Sequence, residues 1–235
     1  MLEGSAGALV AEAGVMEVAV EASAVPYGES LGFWRKSSPY YTESHDAFRQ
    51  GVREVFDREV APFAEEWDES GTRCSPETFK ALGDAGVVAA LVTGEERGAH
   101  FLNKWGVALP GGVDPREFDY FHGLVSGEEA IRGCRGGYGL NDGMIGGVSI
   151  GVVPIIKYGS EYLVENFAKP CILGEKRFAL AISEPYAGSD VNAIHTKATM
   201  HEDGNWRVTG VKKWITGGCM ADCKHSGRKI LLAQC

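Results

Sequence analysis

Basic residues are in short supply in this 235-residue chain: 23 Lys and Arg stand against 32 Asp and Glu, a net charge of −9. Binding nucleic acid by neutralising phosphates needs the opposite balance, so no nucleic-acid partner is expected. A local basic patch for an anionic ligand stays compatible with that charge. Long apolar runs are missing as well; none reaches the roughly 18 residues of a membrane span. Residues 1–25 hold Glu3, Glu12, Glu17 and Glu21 but no Lys or Arg. A secretory leader needs a basic start, and a mitochondrial one needs Arg-rich, acid-poor sequence. These absences predict an intracellular protein, the organelle unspecified. There is no G-x-G-x-x-G stretch after a strand, which removes the simplest dinucleotide fingerprint.

Paired cysteine motifs are also lacking. Cys74, Cys134 and Cys171 are scattered singly, as in a reduced compartment. Cys219, Cys223, His225 and Cys235 cluster near the end, and thiolates with imidazole can hold zinc. Their spacing fits no standard zinc arrangement, so no metal site is expected.

What is present is ordered as helices, then strands. Residues 1–38 read as a loosely ordered extension, Ala/Gly/Val/Glu-rich at first, with Phe33 and Trp34 awaiting something to pack on. From Ser44, a plausible N-cap, Phe48, Val52, Val55, Phe56, Val60 and Phe63 recur at helical spacing, which leaves Arg49, Arg53 and Glu54 on the wet face. Pro62 should kink or end that helix, unless a second begins there. Ser75-Pro76-Glu77 is a strong start signal for a helix reaching Gly86. Residues 93–115 read as a loop, and 119–131 as another helix. The glycine-dense, apolar stretch over 133–151 suggests a buried helix in which Gly146, Gly147 and Gly151 allow close helix packing. Residues 161–167 suit a short helix closed by Lys169-Pro170. After Gly174, strands are expected over 178–183, 196–200, 206–209 and 213–215, with Asp203-Gly204 as a hairpin turn. The class is therefore α+β. A helical domain covers 39–174, an incomplete antiparallel β domain 175–221, and an aberrant tail 222–235.

Chemistry concentrates in two places. Ser183 ends an apolar strand-like run, where its hydroxyl can meet a planar heteroaromatic ligand. No nucleophile elbow surrounds it and no His suggests a triad; His195 should be exposed. Glu184 reads better as a carboxylate fixing a turn through backbone N–H groups than as a general base. Gly188-Ser189-Asp190 reads as a tight corner, with Asp190 bonding nearby amides and Ser189 facing outward. Trp214, backed by Thr216-Gly217-Gly218, offers either a core aromatic or a flat platform for a ring system.

Those residues carry a resemblance. Ala181-Ile-Ser-Glu-Pro-Tyr-Ala-Gly-Ser-Asp-Val-Asn-Ala193 resembles the signature of the acyl-CoA dehydrogenase family at every constrained position. Lys213-Trp-Ile-Thr-Gly-Gly218 is similar to the family's second flavin-contacting strand, with Gly217 where Asn is common. Tyr158-Gly-Ser-Glu161 and Gly174-Glu-Lys176 resemble the entry into its β domain. The likeness runs from about Ser38 to Ala221. It implies a helical domain, a middle β domain and a C-terminal helical bundle, the last expected to be absent here. It implies FAD bordered by Leu180, Ile182, Ser183, Gly188, Ser189, Trp214, Ile215 and Thr216. Ser183 would bond the flavin ring, Trp214 would lie against it, and Thr216 would bond near its reactive nitrogen. Ser189 would also touch the pantetheine arm of an acyl-CoA thioester. The implied reaction removes the α-proton of the thioester while the β-hydride goes to FAD N5. The family's base lies in the C-terminal bundle, so no catalytic residue is assigned here, and the chain is expected to be inactive alone. The family's full-length members form homo-oligomers, and the electron acceptor is open. The alternatives are a non-catalytic truncated fragment, or a branch of the family with another substrate, such as acyl-CoA oxidases or nitroalkane oxidases.

Overall fold

The computed structural model describes residues 39–94, 96–225 and 232–234. The expected extension over 1–38, with Phe33 and Trp34, lies outside the described residues. So do residues 226–231 and Cys235 of the expected tail.

Helix α1 (Glu43–Glu59) is capped by Thr42, one step before the helix, rather than by Ser44. The Thr42 N–H donates to His45 Nδ1 at 3.0 Å, the return half of a capping box. Phe48, Val52, Val55, Phe56 and Val60 are buried as the spacing requires. Phe63 is not: α1 stops before Pro62, and Phe63 stands just ahead of the short helix α2 (Ala64–Ser70), 45% exposed.

Arg49 and Arg53 overturn the expectation of a wet face, being only 3% and 8% exposed. The reason is α6 (Tyr120–Gly133), which runs parallel to α1 and inserts the buried Glu129 between them. Arg49 Nη1 and Arg53 Nη2 donate to Glu129 Oε1 at 2.9 and 2.7 Å, and Arg53 Nε to Oε2 at 2.8 Å. Arg132 adds a bond to Oε2 at 2.8 Å, and Arg49 also reaches Glu128 at 2.7 Å. Burial would raise the Glu129 pKa, but hydrogen bonds from Arg53 and Arg132 outweigh it and hold the carboxyl below its ordinary value.

At the start of the same helix pair, Asp119 caps α6 through the amides of Phe121 and His122, at 2.9 and 3.1 Å. It also meets His45 Nε2 of α1 at 3.0 Å. The two buried imidazoles, His45 and His122, stack with centroids 3.9 Å apart.

Ser75 caps α3 (Pro76–Asp84) as expected, accepting from Thr78 N at 3.1 Å, although α3 ends short of Gly86. The four residues of α4 (Val87–Ala90) are all buried. Residues 93–115 are not a loop: α5 (Glu96–Trp105) lies there, burying Phe101 and Leu102. Gly98, which reads as a breaker, sits where a side chain would strike the Val92 carbonyl oxygen at 2.1 Å.

Helix α7 (Gly139–Tyr158) has a mean hydropathy of 1.4 and is long and apolar enough, by length and composition, to cross a membrane. Its packing gives another account of that apolar character. A side chain at Gly147 would stand 1.8 Å from the Phe178 carbonyl oxygen, and one at Gly151 2.6 Å from the Phe178 ring. These glycines permit close approach as expected, but of strand β1 (Phe178–Leu180) rather than of another helix. Residues Asp142–Gly146 of α7 widen into π geometry. Lys169-Pro170 does not close the next helix: α8 (Glu161–Leu163) passes through a π turn, Val164–Ala168, into α9 (Lys169–Ile172). The wider turn ahead of Pro170 accommodates its missing N–H.

Beyond Gly174 the strands begin, so the α-then-β order holds. β2 (Lys197–Met200) and β3 (Trp206–Thr209) pair antiparallel, from Lys197↔Thr209 to Met200↔Trp206, across the expected Asp203-Gly204 turn. β4 (Cys223–His225) pairs parallel with β1, Phe178 opposite Cys223, and β5 (Leu232–Gln234) pairs antiparallel with β4. The backbone at 223–225, expected to open an aberrant tail, thus belongs to a sheet.

Candidate functional site

β1 ends at Leu180, and the chain continues through Ala181, Ile182 and Ser183 to a tight turn. That turn is closed by Glu184 N–H to Ala187 O at 2.8 Å and Ala187 N–H to Glu184 O at 3.2 Å. Phe178, Ala179 and Ala181 are buried and anchor the segment, while Leu180, Ile182 and Ser183 are half-buried at its rim.

The Glu184 carboxylate holds this corner together. It accepts from the amides of His195 and Thr196 at 2.7 and 3.0 Å, from the Thr196 hydroxyl, and from Lys212 Nζ at 2.9 Å. The Thr196 hydroxyl bond leads, and with the amides and Lys212 it outweighs burial, so the pKa falls to about 2. A carboxylate so fully used by donors is a structural acceptor, as its place in the sequence suggested. Lys212 and Thr196 were not singled out from the sequence, where neither carries a motif signal.

Lys212 Nζ also bonds the Ile182 carbonyl at 2.9 Å, and the Lys213 N–H donates to the Ser183 carbonyl at 2.9 Å. Residues 212–213 therefore run beside 182–183, and Trp214 follows directly. The expected strand over 213–215 does not form. Trp214 adopts φ +57°, a left-handed backbone unusual for an aromatic residue. This turn throws the indole outward, 82% exposed, with Lys213 Nζ 4.7 Å from its ring centroid. It is not a core aromatic. Ile215 is half-buried and Thr216 exposed, and a side chain at Gly217 would stand 3.6 Å from the Gly143 carbonyl oxygen in the π segment of α7.

The structure thus brings Leu180, Ile182, Ser183, Trp214, Ile215 and Thr216 to neighbouring segments. Gly188 and Ser189 are exposed on the outer turn beyond Ala187, where Asp190 accepts from Asn192 N at 3.0 Å. Among the described residues no hydrogen bond joins Gly188 or Ser189 to the Trp214 turn. His195 is exposed, as expected.

A cleft of about 700 Å³ opens on the adjoining face of α7, between α4, α6 and α7. Leu91, Gly123, Asn141, Asp142, Ser149 and Ile150 are among its walls. Nothing in the sequence pattern announces it, because it arises where three helices meet. Gly147-Val-Ser149-Ile-Gly151 has the spacing of a nucleophile elbow, yet it lies within a helix and Ser149 donates its hydroxyl to the Gly146 carbonyl at 2.9 Å. Of the conceivable metal ligands near the end, Cys219 is exposed. The side chains of Cys223, His225 and Cys235 lie outside the described residues.

Comparison with known proteins identifies the two parts of the chain. The family model for the acyl-CoA dehydrogenase N-terminal domain matches residues 42–175, and that for the middle domain matches 179–226. Acyl-CoA dehydrogenase AFT10-1 of Alternaria alternata is 37% identical over 201 residues, 85% of this chain and 45% of that protein. Acyl-CoA dehydrogenase apdG of Emericella nidulans is 38% identical over 205 residues, 86% and 45% of the two chains. The solved butyryl-CoA dehydrogenase of Megasphaera elsdenii superposes with a TM-score of 0.62 at 26% identity, covering 79% of this chain and 44% of its own. The chain spans less than half the length of these relatives. On both domain matches and on these relatives, the chain belongs to the acyl-CoA dehydrogenase family.

Proposed function

We propose that residues 180–183 and 213–216 form one wall of an FAD site, and that the cleft beside α7 receives the acyl chain of a CoA thioester. The observation that carries this reading is the Lys213 N–H to Ser183 carbonyl bond, which sets the segment bearing an exposed indole alongside the half-buried segment 182–183. A planar heteroaromatic fits such a place: an aromatic face to stack on, aliphatic Leu180 and Ile182 at its edge, and hydroxyls at Ser183 and Thr216 to bond it. The left-handed backbone at Trp214 is strain of the kind held at ligand sites. When bound, FAD supplies the two-electron acceptance of the reaction.

The chain's own residues supply position. Gly147 and Gly151 let α7 press on β1, which fixes where the rim residues stand. Glu184, tied to Lys212 and Thr196, holds the corner that carries Ser189 outward, and Ser189 is assigned to the pantetheine arm. With its pKa near 2 and four donors upon it, Glu184 does not take the α-proton. Glu184 is therefore not the base of the proposed oxidation at the CH–CH group of an acyl-CoA.

The test is titration of the full chain with FAD, followed by flavin fluorescence, beside the variant Trp214→Ala. Saturable binding that weakens about tenfold or more without the indole supports the site, since a base-aromatic stack contributes about 1–3 kcal/mol. Equal binding by both proteins removes Trp214 from it.

A further inference from the structure

Lys212 has two partners, and only one of them is a charge. Nζ stands 2.9 Å from Glu184 Oε1, and the same Nζ donates to the Ile182 carbonyl at 2.9 Å. The Lys212 side chain is only 16% exposed, so solvent screens these bonds little. Glu184 already accepts from the amides of His195 and Thr196 and from the Thr196 hydroxyl. Fixing the Glu184 corner does not require the second bond, which reaches back to the segment where the rim residues stand.

The peptide group that holds the Ile182 carbonyl also holds the Ser183 N–H. In a trans peptide the two point in opposite directions, so an ammonium on the carbonyl leaves the N–H directed away from Lys212. Ser183 is half-buried, and its N–H has no acceptor among the described residues. Backbone N–H groups away from bulk water are nearly always paired, which marks this one as a donor kept for a ligand. A charge-assisted bond on the carbonyl draws electrons from the whole amide and makes its N–H a stronger donor. The Lys213 N–H fixes the same residue from its other end, through the Ser183 carbonyl at 2.9 Å. Resting on the FAD reading above, we propose that Lys212 is a positioning residue for the flavin: through the Ile182 carbonyl it directs and polarises the Ser183 N–H toward an electron-rich edge of the ring. Such a donor holds the ring more tightly once it has gained two electrons, so Lys212 raises the reduction potential of bound FAD.

Lys212→Met keeps the reach of the side chain and removes the ammonium. FAD affinity of the full chain is read by flavin fluorescence, and the potential of the bound flavin by equilibration with a reference dye. Binding should weaken about tenfold, the worth of one hydrogen bond to a charged group. The reduced form should lose about threefold more than the oxidised form, a fall of about 15 mV for two electrons. Thr196→Val loosens the same corner without reaching Ile182 and should leave the potential where it is. A second measurement needs no variant: in the wild-type chain, exchange of the Ser183 amide should slow about tenfold or more when FAD is bound. The same potential shift in both variants, or none in Lys212→Met, overturns the proposal. So does a Ser183 amide that exchanges equally fast with and without bound FAD. Both of those results leave the FAD reading standing, whereas a wild-type chain that binds no FAD brings that reading down, and the proposal with it.

Discussion

Replacing Glu129 by Gln removes one charge from the centre of the α1–α6 interface and almost no volume. Two guanidiniums, Arg49 and Arg53, would then stay buried without the anion that compensates them. Breaking a buried pair by removing one partner costs about 3–5 kcal/mol. Gln keeps one acceptor oxygen, and Glu128 still reaches Arg49, so the lower end applies, about 3 kcal/mol. Domains of this kind are stable by about 5–15 kcal/mol, so a fifth or more of the total is at stake. With a urea m-value of about 1–3 kcal/mol/M, the midpoint should fall by about 1 M or more, read by far-UV circular dichroism. Pairing Glu129→Gln with Arg53→Met should recover part of the loss, because the charge left alone is then reduced. A loss below about 1 kcal/mol, or strict additivity of the two substitutions, would refute the reasoning. The folded-state pKa of Glu129 lies below the unfolded one, so its contribution is complete above about pH 4.3 and disappears as pH falls through the folded value.

Gly147→Ala should be destabilising by about 1–3 kcal/mol, because the new methyl meets the Phe178 backbone rather than a yielding side chain. Thermal melts check this, and an unchanged midpoint would mean α7 and β1 separate at little cost. Glu184 should keep the corner around His195 and Thr196 intact well below ordinary carboxylate titration. Its stabilisation is present above the unfolded value of about 4.3 and is lost as pH falls through about 2. Amide exchange of His195 and Thr196 measured at pH 3 should still show protection, and loss of protection by pH 4 would contradict the hydrogen-bond pattern.

Local signals in the sequence were read well where one residue type suffices. Ser75 before Pro76 and Asp203-Gly204 between strands each act through their own backbone. Residues 181–193 also read correctly as a corner, with Glu184 and Asp190 bonding amides. What failed depends on distant chain. Arg49 and Arg53 carry the spacing of a wet face, and only the arrival of α6 buries them. Helix α5 was hidden by Gly98, whose purpose is the proximity of Val92. Trp214 has every local mark of a strand residue, yet next to the Lys213 bond to Ser183, and with Gly217 running close to α7, it takes a left-handed bend. The cleft belongs to no segment, so no pattern could disclose it.

Asp119 has a kinetic meaning beyond its role as a cap. It serves the first turn of its own helix and, through His45, 74 residues earlier in the chain, the first turn of another. Each turn has a local cap of its own, but the bond that ties them together forms only on closure of a long loop, an entropic cost that local propensity cannot lower. Fraying at these two termini should then be a single event, visible as one shared opening rate for amides far apart in the chain.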